Sequence, residues 1–169
     1  MEIPYPALKD ELIISLFVDS RNRVWVGTFY NGLYCIADEM VRHYQYPQPS
    51  NVDVSYQHGT PNLNCVRDLI EGRDGQMWIS VYGGVGRFDP ETGAIRLLRE
   101  DHPELARYML MRDIFLKEDG SVIAAGDNGR FRYHPSTDVV DRIDTVDAHT
   151  LTNQLLQDAA GRVWLAESG

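Results

Sequence analysis

One short pattern, written four times, constrains this 169-residue chain more than anything else in it. Its copies centre on Val24-Trp25-Val26-Gly27-Thr28, Met77-Trp78-Ile79-Ser80-Val81, Val122-Ile123-Ala124-Ala125-Gly126 and Val163-Trp164-Leu165-Ala166-Glu167. Each follows an apolar run that ends in a polar turn, such as Leu16-Phe17-Val18-Asp19 or Leu155-Leu156-Gln157-Asp158. Each precedes a second turn: Asn31-Gly32, Gly83-Gly84, Asn128-Gly129 and Ser168-Gly169. The anchors at 25, 78, 123 and 164 lie 53, 45 and 41 residues apart, and the variation falls in the stretches 45–63, 100–110 and 144–152. Units of constant length joined by variable loops must stack on one another, and a period of roughly 40–50 residues built from strands and tight turns predicts a radial β array.

Copy two shows the unit most fully. Strands are expected at 65–71, 76–81, 85–89 and 94–99, separated by Asp74-Gly75, Gly83-Gly84 and Pro90-Glu91-Thr92-Gly93. Glycine reaches the positive φ of such hairpin turns, and Pro90 cannot continue a ladder. Copy one is expected at 13–18, 23–28, 32–37 and 41–46, copy three at 112–117, 121–125, 130–134 and 139–143. Copy four has two strands only, 153–157 and 162–167, and a short helical turn is expected near 103–108. The first two strands of each copy are apolar on nearly every residue, as in a sheet covered on both faces. The expected fold is therefore all-β: four-stranded antiparallel meanders forming about three and a half β-propeller blades, at 12–47, 64–99, 111–143 and 153–169, an incomplete propeller. Trp25, Trp78 and Trp164 are expected to pack between blades.

Copies one and two closely resemble the two-component regulator propeller repeat. The residues that carry the resemblance are Leu16 to Thr28 with Asn31-Gly32-Leu33-Tyr34, and Leu69 to Gly84 continued by Val85-Gly86-Arg87-Phe88-Asp89-Pro90-Glu91-Thr92-Gly93. Copy three has Ile123 where the repeat has tryptophan, and copy four stops after its second strand. The resemblance implies a ligand-sensing propeller in the extracytoplasmic (periplasmic) part of a membrane-anchored, often hybrid, histidine kinase, in a family where many members sense glycan fragments. The chain itself carries no phosphoacceptor helix and no nucleotide-binding glycine boxes, so it is expected not to be an enzyme. Asp74-Gly75-Gln76-Met77-Trp78 and Gly161 to Gly169 also resemble streptogramin-lyase propellers, which implies a competing reading as a metal-dependent enzyme. A protein-interaction scaffold is the third reading.

Composition narrows the partners. A formal charge of −9 without a basic cluster opposes nucleic acid. No apolar run is long enough to span a bilayer, and residues 1–10 do not read as a leader. Cys35 and Cys65 are not at metal-ligand spacing and read as small buried thiols, with a disulfide the alternative in an oxidising compartment. No cofactor or metal is expected: none of His43, His58, His102, His134 and His149 is paired at ligand spacing, and Gly83-Gly84-Val85-Gly86 lacks the helix and lysine of a phosphate loop.

One constellation points to binding. Arg67-Asp68 and Arg112-Asp113 share one register at the start of the innermost strand, with Ser15 and Gln154 matching the aspartates in the other copies. In a meander, the connections between blades and between second and third strands share one end. That end would gather these pairs with Tyr30, Tyr82, Asp127, Asn128, and Tyr56, Gln57 and His58 of the long connection. Aromatic rings among carboxylates and amides suit a small-molecule or oligosaccharide ligand. The same Arg and Asp residues would equally serve to satisfy one another and the backbone of adjacent blades. Three and a half blades do not close a standard ring, so bare blade faces at both ends and self-association through open edges are expected.

Overall fold

The computed structural model describes residues 5–47, 62–108, 110–127, 129–144, 151–158 and 160–168. The first sheet runs β1 (Ile13–Val18), β2 (Val24–Thr28), β3 (Leu33–Ala37) and β4 (Met40–Tyr44); the second β5 (Asn62–Glu71), β6 (Met77–Tyr82), β7 (Gly84–Phe88) and β8 (Ile95–Leu97). The third runs β9 (Met111–Leu116), β10 (Val122–Gly126), β11 (Gly129–His134) and β12 (Val139–Asp144), and the last pairs β13 (Leu151–Gln157) with β14 (Val163–Ser168). Each four-stranded sheet is ordered as the chain is, and every pairing is antiparallel. These are the expected meanders, three complete and one half. The strand β8 is shorter than the sequence suggests. After Leu97 the chain turns through Leu98–Glu100, where the Glu100 carboxylate accepts the Leu97 N–H and Leu98 drops into the core.

The core lies between sheets rather than within one. Trp25, Val66, Leu69, Ile79 and Phe88 bury together at the junction of blades one and two. Trp78, Leu98, Leu105, Met111, Phe131 and Tyr133 do so between two and three. The third junction is thinner, built on Ile123, Ala125 and Leu155. Each buried tryptophan meets a ring from the third strand of the next blade: Phe88 stands edge-on to Trp25 at 5.4 Å, Tyr133 to Trp78 at 5.5 Å. Trp164 departs from expectation. It is 55% exposed, because no described sheet packs on that face of β13 and β14, and its ladder partner Leu156 stands exposed with it. The face of the first blade is not bare as expected, since the turn Pro6–Leu8 lays Leu8 on Val26 and Tyr34.

Candidate functional site

All four innermost strands carry one extra residue at the same place. Ser15 opposes Gly27 while Ile13 opposes Thr28, which leaves Ile14 unpaired; Arg67, Arg112 and Asn153 are the corresponding residues of β5, β9 and β13. A bulge of this kind re-aims the side chains beside it. The residue that follows is Ser15, Asp68 or Asp113 in the first three blades, and each reaches the inner strand of the next blade. Ser15 Oγ donates to Val66 O at 3.3 Å, Asp68 accepts the Ile114 N–H at 2.9 Å, and Asp113 accepts the Leu155 N–H. Ser80, opposite Asp68 in the ladder, donates to Met111 O at 2.7 Å.

The carboxyls of Asp68 and Asp113 are neighbours here. Burial of Asp68, then the adjacent Asp113 carboxyl, push its carboxyl well above the usual carboxylate range, against the pull of the Ile114 and Leu69 N–H groups. A carboxyl so placed beside a second one favours its protonated form.

The Arg-Asp neighbours in sequence are not partners in space. Arg112 forks onto Asp127 of the turn between β10 and β11, with Nε–Oδ1 at 2.5 Å and Nη2–Oδ2 at 3.3 Å. Arg67 lies against the Cys65 thiol. Tyr82 bridges to Leu110 at the entry to blade three. Tyr30 is half exposed and stands edge-on to Phe29 at 4.7 Å. Arg130 pairs with Glu167, which also accepts from Thr152. The end of the molecule singled out from sequence thus collects Arg67, Asp68, Arg112, Asp113, Asp127 and Tyr82, with Tyr30 on the neighbouring blade. Tyr56, Gln57, His58 and Asn128 lie outside the described residues.

Two features escaped the sequence reading. Asn64, buried beside Tyr46, accepts the Tyr46 N–H at 2.8 Å and donates to its carbonyl at 2.9 Å, pinning the outgoing strand of blade one to the incoming strand of blade two. The second is Asp19, whose buried carboxylate accepts four hydrogen bonds: from Trp25 Nε1, Arg23 Nε, and the backbone of Arg21 and Arg23. Burial works to raise this carboxyl, but the donors together outweigh it and hold it below the ordinary value. Asp158, Arg162 and Trp164 repeat the same bonds in copy four. The signal was the spacing Asp-x-x-x-Arg-x-Trp, present twice.

Copy two keeps the tryptophan but has Gly72 in place of that aspartate. There, at the opposite end from the residues above, a cleft of about 270 Å³ opens between the turns Gly72–Asp74 and Asp119–Ser121 and the segment 134–136, with Trp78 in its lining.

The histidines that are described have local partners. His43 stacks on Tyr34 at 4.0 Å, His102 meets Asp138 and Glu104, and His134 meets Asp141. Among the described residues no group of three His, Cys, Asp or Glu side chains could hold a metal ion, and no helix is long and apolar enough to cross a membrane. Cys35 and Cys65 are free, buried thiols, and burial raises both.

Residues 7–30 match the family described as two component regulator propeller. No curated protein sequence matches the chain. Among solved structures, the extracellular domain of a hybrid two component system from B. thetaiotaomicron is 21% identical with a TM-score of 0.67, over 90% of this chain and 20% of that one. Virginiamycin B lyase from Staphylococcus aureus is 16% identical with a TM-score of 0.65, over 92% of this chain and 49% of that one. The chain therefore spans half or less of the length of these structures, and at such identities the likeness is one of fold. Between the repeat matched at 7–30 and the fold it shares with these propellers, the chain carries a two-component regulator propeller repeat on incomplete β-propeller blades.

Proposed function

We propose that the chain is part of the sensing half of a two-component regulator: an extracytoplasmic propeller segment, not itself an enzyme, that receives a polar ligand of carbohydrate type. The match of residues 7–30 to the regulator repeat carries this reading. Likeness to extracellular domains of B. thetaiotaomicron two component systems supports it. The ligand would meet the end where Arg67, Arg112–Asp127, Tyr82 and Tyr30 gather. Of these, Tyr30 is the most exposed to a ligand and Arg67 stands beside the Cys65 thiol, whereas the Asp68–Asp113 pair is committed to the blade junctions.

Calorimetric titration with a panel of oligosaccharides tests the reading. Saturable binding that Arg67→Ala and Tyr30→Ala weaken, at unchanged melting temperature, is the expected result. No binding across the panel, or binding indifferent to both substitutions, overturns the placement of the site.

The likeness to virginiamycin B lyase favours a second reading, a propeller enzyme. The metal that reading implies finds no set of three ligands among the described residues, so no catalytic step is assigned to them. Turnover of a streptogramin dependent on added divalent metal would put the lyase reading first.

A further inference from the structure

The geometry points to a second binding site at the other end of the molecule: the cleft between blades two and three, taking a neutral polyhydroxylated ligand whose hydroxyl replaces the aspartate that copy two lacks. In copies one and four, an aspartate six residues before the tryptophan accepts its indole N–H at 2.9 Å. Copy three has Lys117 at that position and Ile123, which has no N–H, at the anchor. Only copy two keeps the donor without the acceptor.

Trp78 is 2% exposed, and no described residue accepts its N–H. Every buried side-chain nitrogen or oxygen among the described residues has a partner, so this N–H reaches the open cleft. A Cβ built on Gly72 would stand 3.3 Å from Trp78 Nε1, so the side chain that copy two lacks would have begun beside this N–H. A donor without a protein acceptor gains by finding one.

The lining decides the ligand's chemistry. Asp74 accepts the Gln76 N–H, and its Oδ1 lies 2.8 Å from the same Cβ position. Asp119 accepts from Ser121 and Arg132. Both carboxylates line the cleft and have acceptor capacity beyond these bonds. An anion able to take the indole N–H would sit against Asp74 and Asp119. A cation drawn by those carboxylates would meet the N–H and Arg73 instead. A hydroxyl accepts from Trp78 and donates to a carboxylate at once, and neighbouring hydroxyls can repeat this with Ser121 and His134. Arg87 already lies over the indole and Tyr133 packs against it at 5.5 Å, so the ligand meets its N–H edge. The volume, near the lower end of ordinary ligand pockets, suits one sugar-sized residue.

The test is the indole N–H itself. In ¹⁵N-labelled protein the three tryptophans give three indole signals; Trp164→Phe removes one and Gly72→Asp displaces another, which is that of Trp78. Glucose, galactose, mannose and maltose are titrated, with sodium acetate and phosphate as the anionic arm. The expected result is a saturable shift of the Trp78 signal with at least one sugar, the Trp25 signal remaining still. A response to glucose and to maltose alike means that a chain end enters; a response to the monosaccharide alone means a free sugar. Gly72→Asp supplies an internal acceptor and abolishes the response. Ser136→Phe, which fills the cleft without touching the indole bond, abolishes it too and serves if Gly72→Asp does not fold. No shift with any sugar, a shift with acetate or phosphate instead, or a shift that survives both substitutions overturns the proposal. Arg67→Ala leaves this response intact, so the site fails or stands independently of the one proposed at the opposite end.

Discussion

The first two blade junctions are built on the same tryptophan and end differently. Between blades one and two, both ends are closed. Asp19 ties Trp25 to its own turn, Ser20 donates to Glu71 through its N–H and hydroxyl, and Tyr44 and Tyr46 donate to the carbonyls of Pro90 and Gly93 across the gap. Gly93 approaches so closely that a Cβ there would lie 2.7 Å from the Tyr44 ring. Between blades two and three, the inner strands are tied by Asp68 and Ser80, and Arg87 donates to the Tyr133 hydroxyl, yet the end beside Trp78 stays open. One residue, Gly72 against Asp19, separates a sealed junction from one with a cleft. Packing of the tryptophan and closure of the turn beneath it are thus independent properties of this repeat.

If packing dominates both junctions, removing either ring should be the costliest change in the molecule. Trp25→Ala and Trp78→Ala should each lose about 3–5 kcal/mol, the usual range for emptying a buried aromatic site, measured by urea unfolding. Trp78→Ala should lose the less of the two, because solvent already reaches its N–H. Equal losses, or a loss below about 1 kcal/mol in either, would break the comparison.

Closure of the turn is tested by Asp19→Ala, which strands the Trp25 N–H, the Arg23 guanidinium and two backbone donors. A loss of about 2–3 kcal/mol is expected, since a buried donor left without its charged acceptor forfeits more than an ordinary hydrogen bond. The pH dependence has a definite sign. The Asp19 carboxyl is held below its unfolded value, so its contribution is complete above that value, near pH 4, and disappears as pH falls through the folded one. In Asp19→Ala the acid limb of the stability profile should flatten. A loss unchanged between pH 6 and pH 3 would remove the carboxylate from the account.

The inner strands carry the opposite sign. The Asp68 carboxyl is raised, so the folded state holds a proton that the unfolded chain releases near pH 4, and stability declines as pH rises from there toward the folded value. Asp68→Asn keeps an acceptor for one backbone N–H and supplies a permanent donor to Asp113. It should be neutral at pH 4 and stabilising, by about 1 kcal/mol, at pH 8. Thermal melts at the two pH values decide; a variant destabilised at both would mean that Asp68 does not hold the proton.

The blades were legible because their signals are local. Apolar runs such as 65–71 and 76–81, divided by Asp-Gly and Thr-Gly, declare strand and turn without reference to the rest of the chain. The bulge at Ile14, Arg67, Arg112 and Asn153 was not, because an unpaired residue is defined by the register of its neighbour. For the same reason Arg112 reads as the partner of Asp113, while the fold hands it to Asp127 and turns Asp113 toward Leu155. The Asp19 clasp was written in the spacing it shares with Asp158, and Gly72 in the same frame marked where a cleft would open. What that cleft contains was not written there, since Asp119 and His134 reach it from another repeat.

The smallest effect belongs to the third tryptophan. Trp164 makes the same bonds to Asp158 and Arg162 as Trp25 makes to its turn, yet half its surface faces solvent. If the clasp alone held these rings, Trp164→Ala would resemble Asp19→Ala. If burial by the next blade supplies most of the energy, the loss should stay within about 1 kcal/mol, as for exposed sites generally. Dilute protein distinguishes the two by urea unfolding. Concentration then sharpens the result. Leu156 and Trp164, ladder partners on one face of β13 and β14, form an uncovered apolar patch of the kind that draws partners, so light scattering should show association of the parent chain at high concentration, and Trp164→Ala should weaken it. A parent that stays monomeric throughout would leave the face idle, and a loss above 2 kcal/mol in dilute Trp164→Ala would return the energy to the clasp.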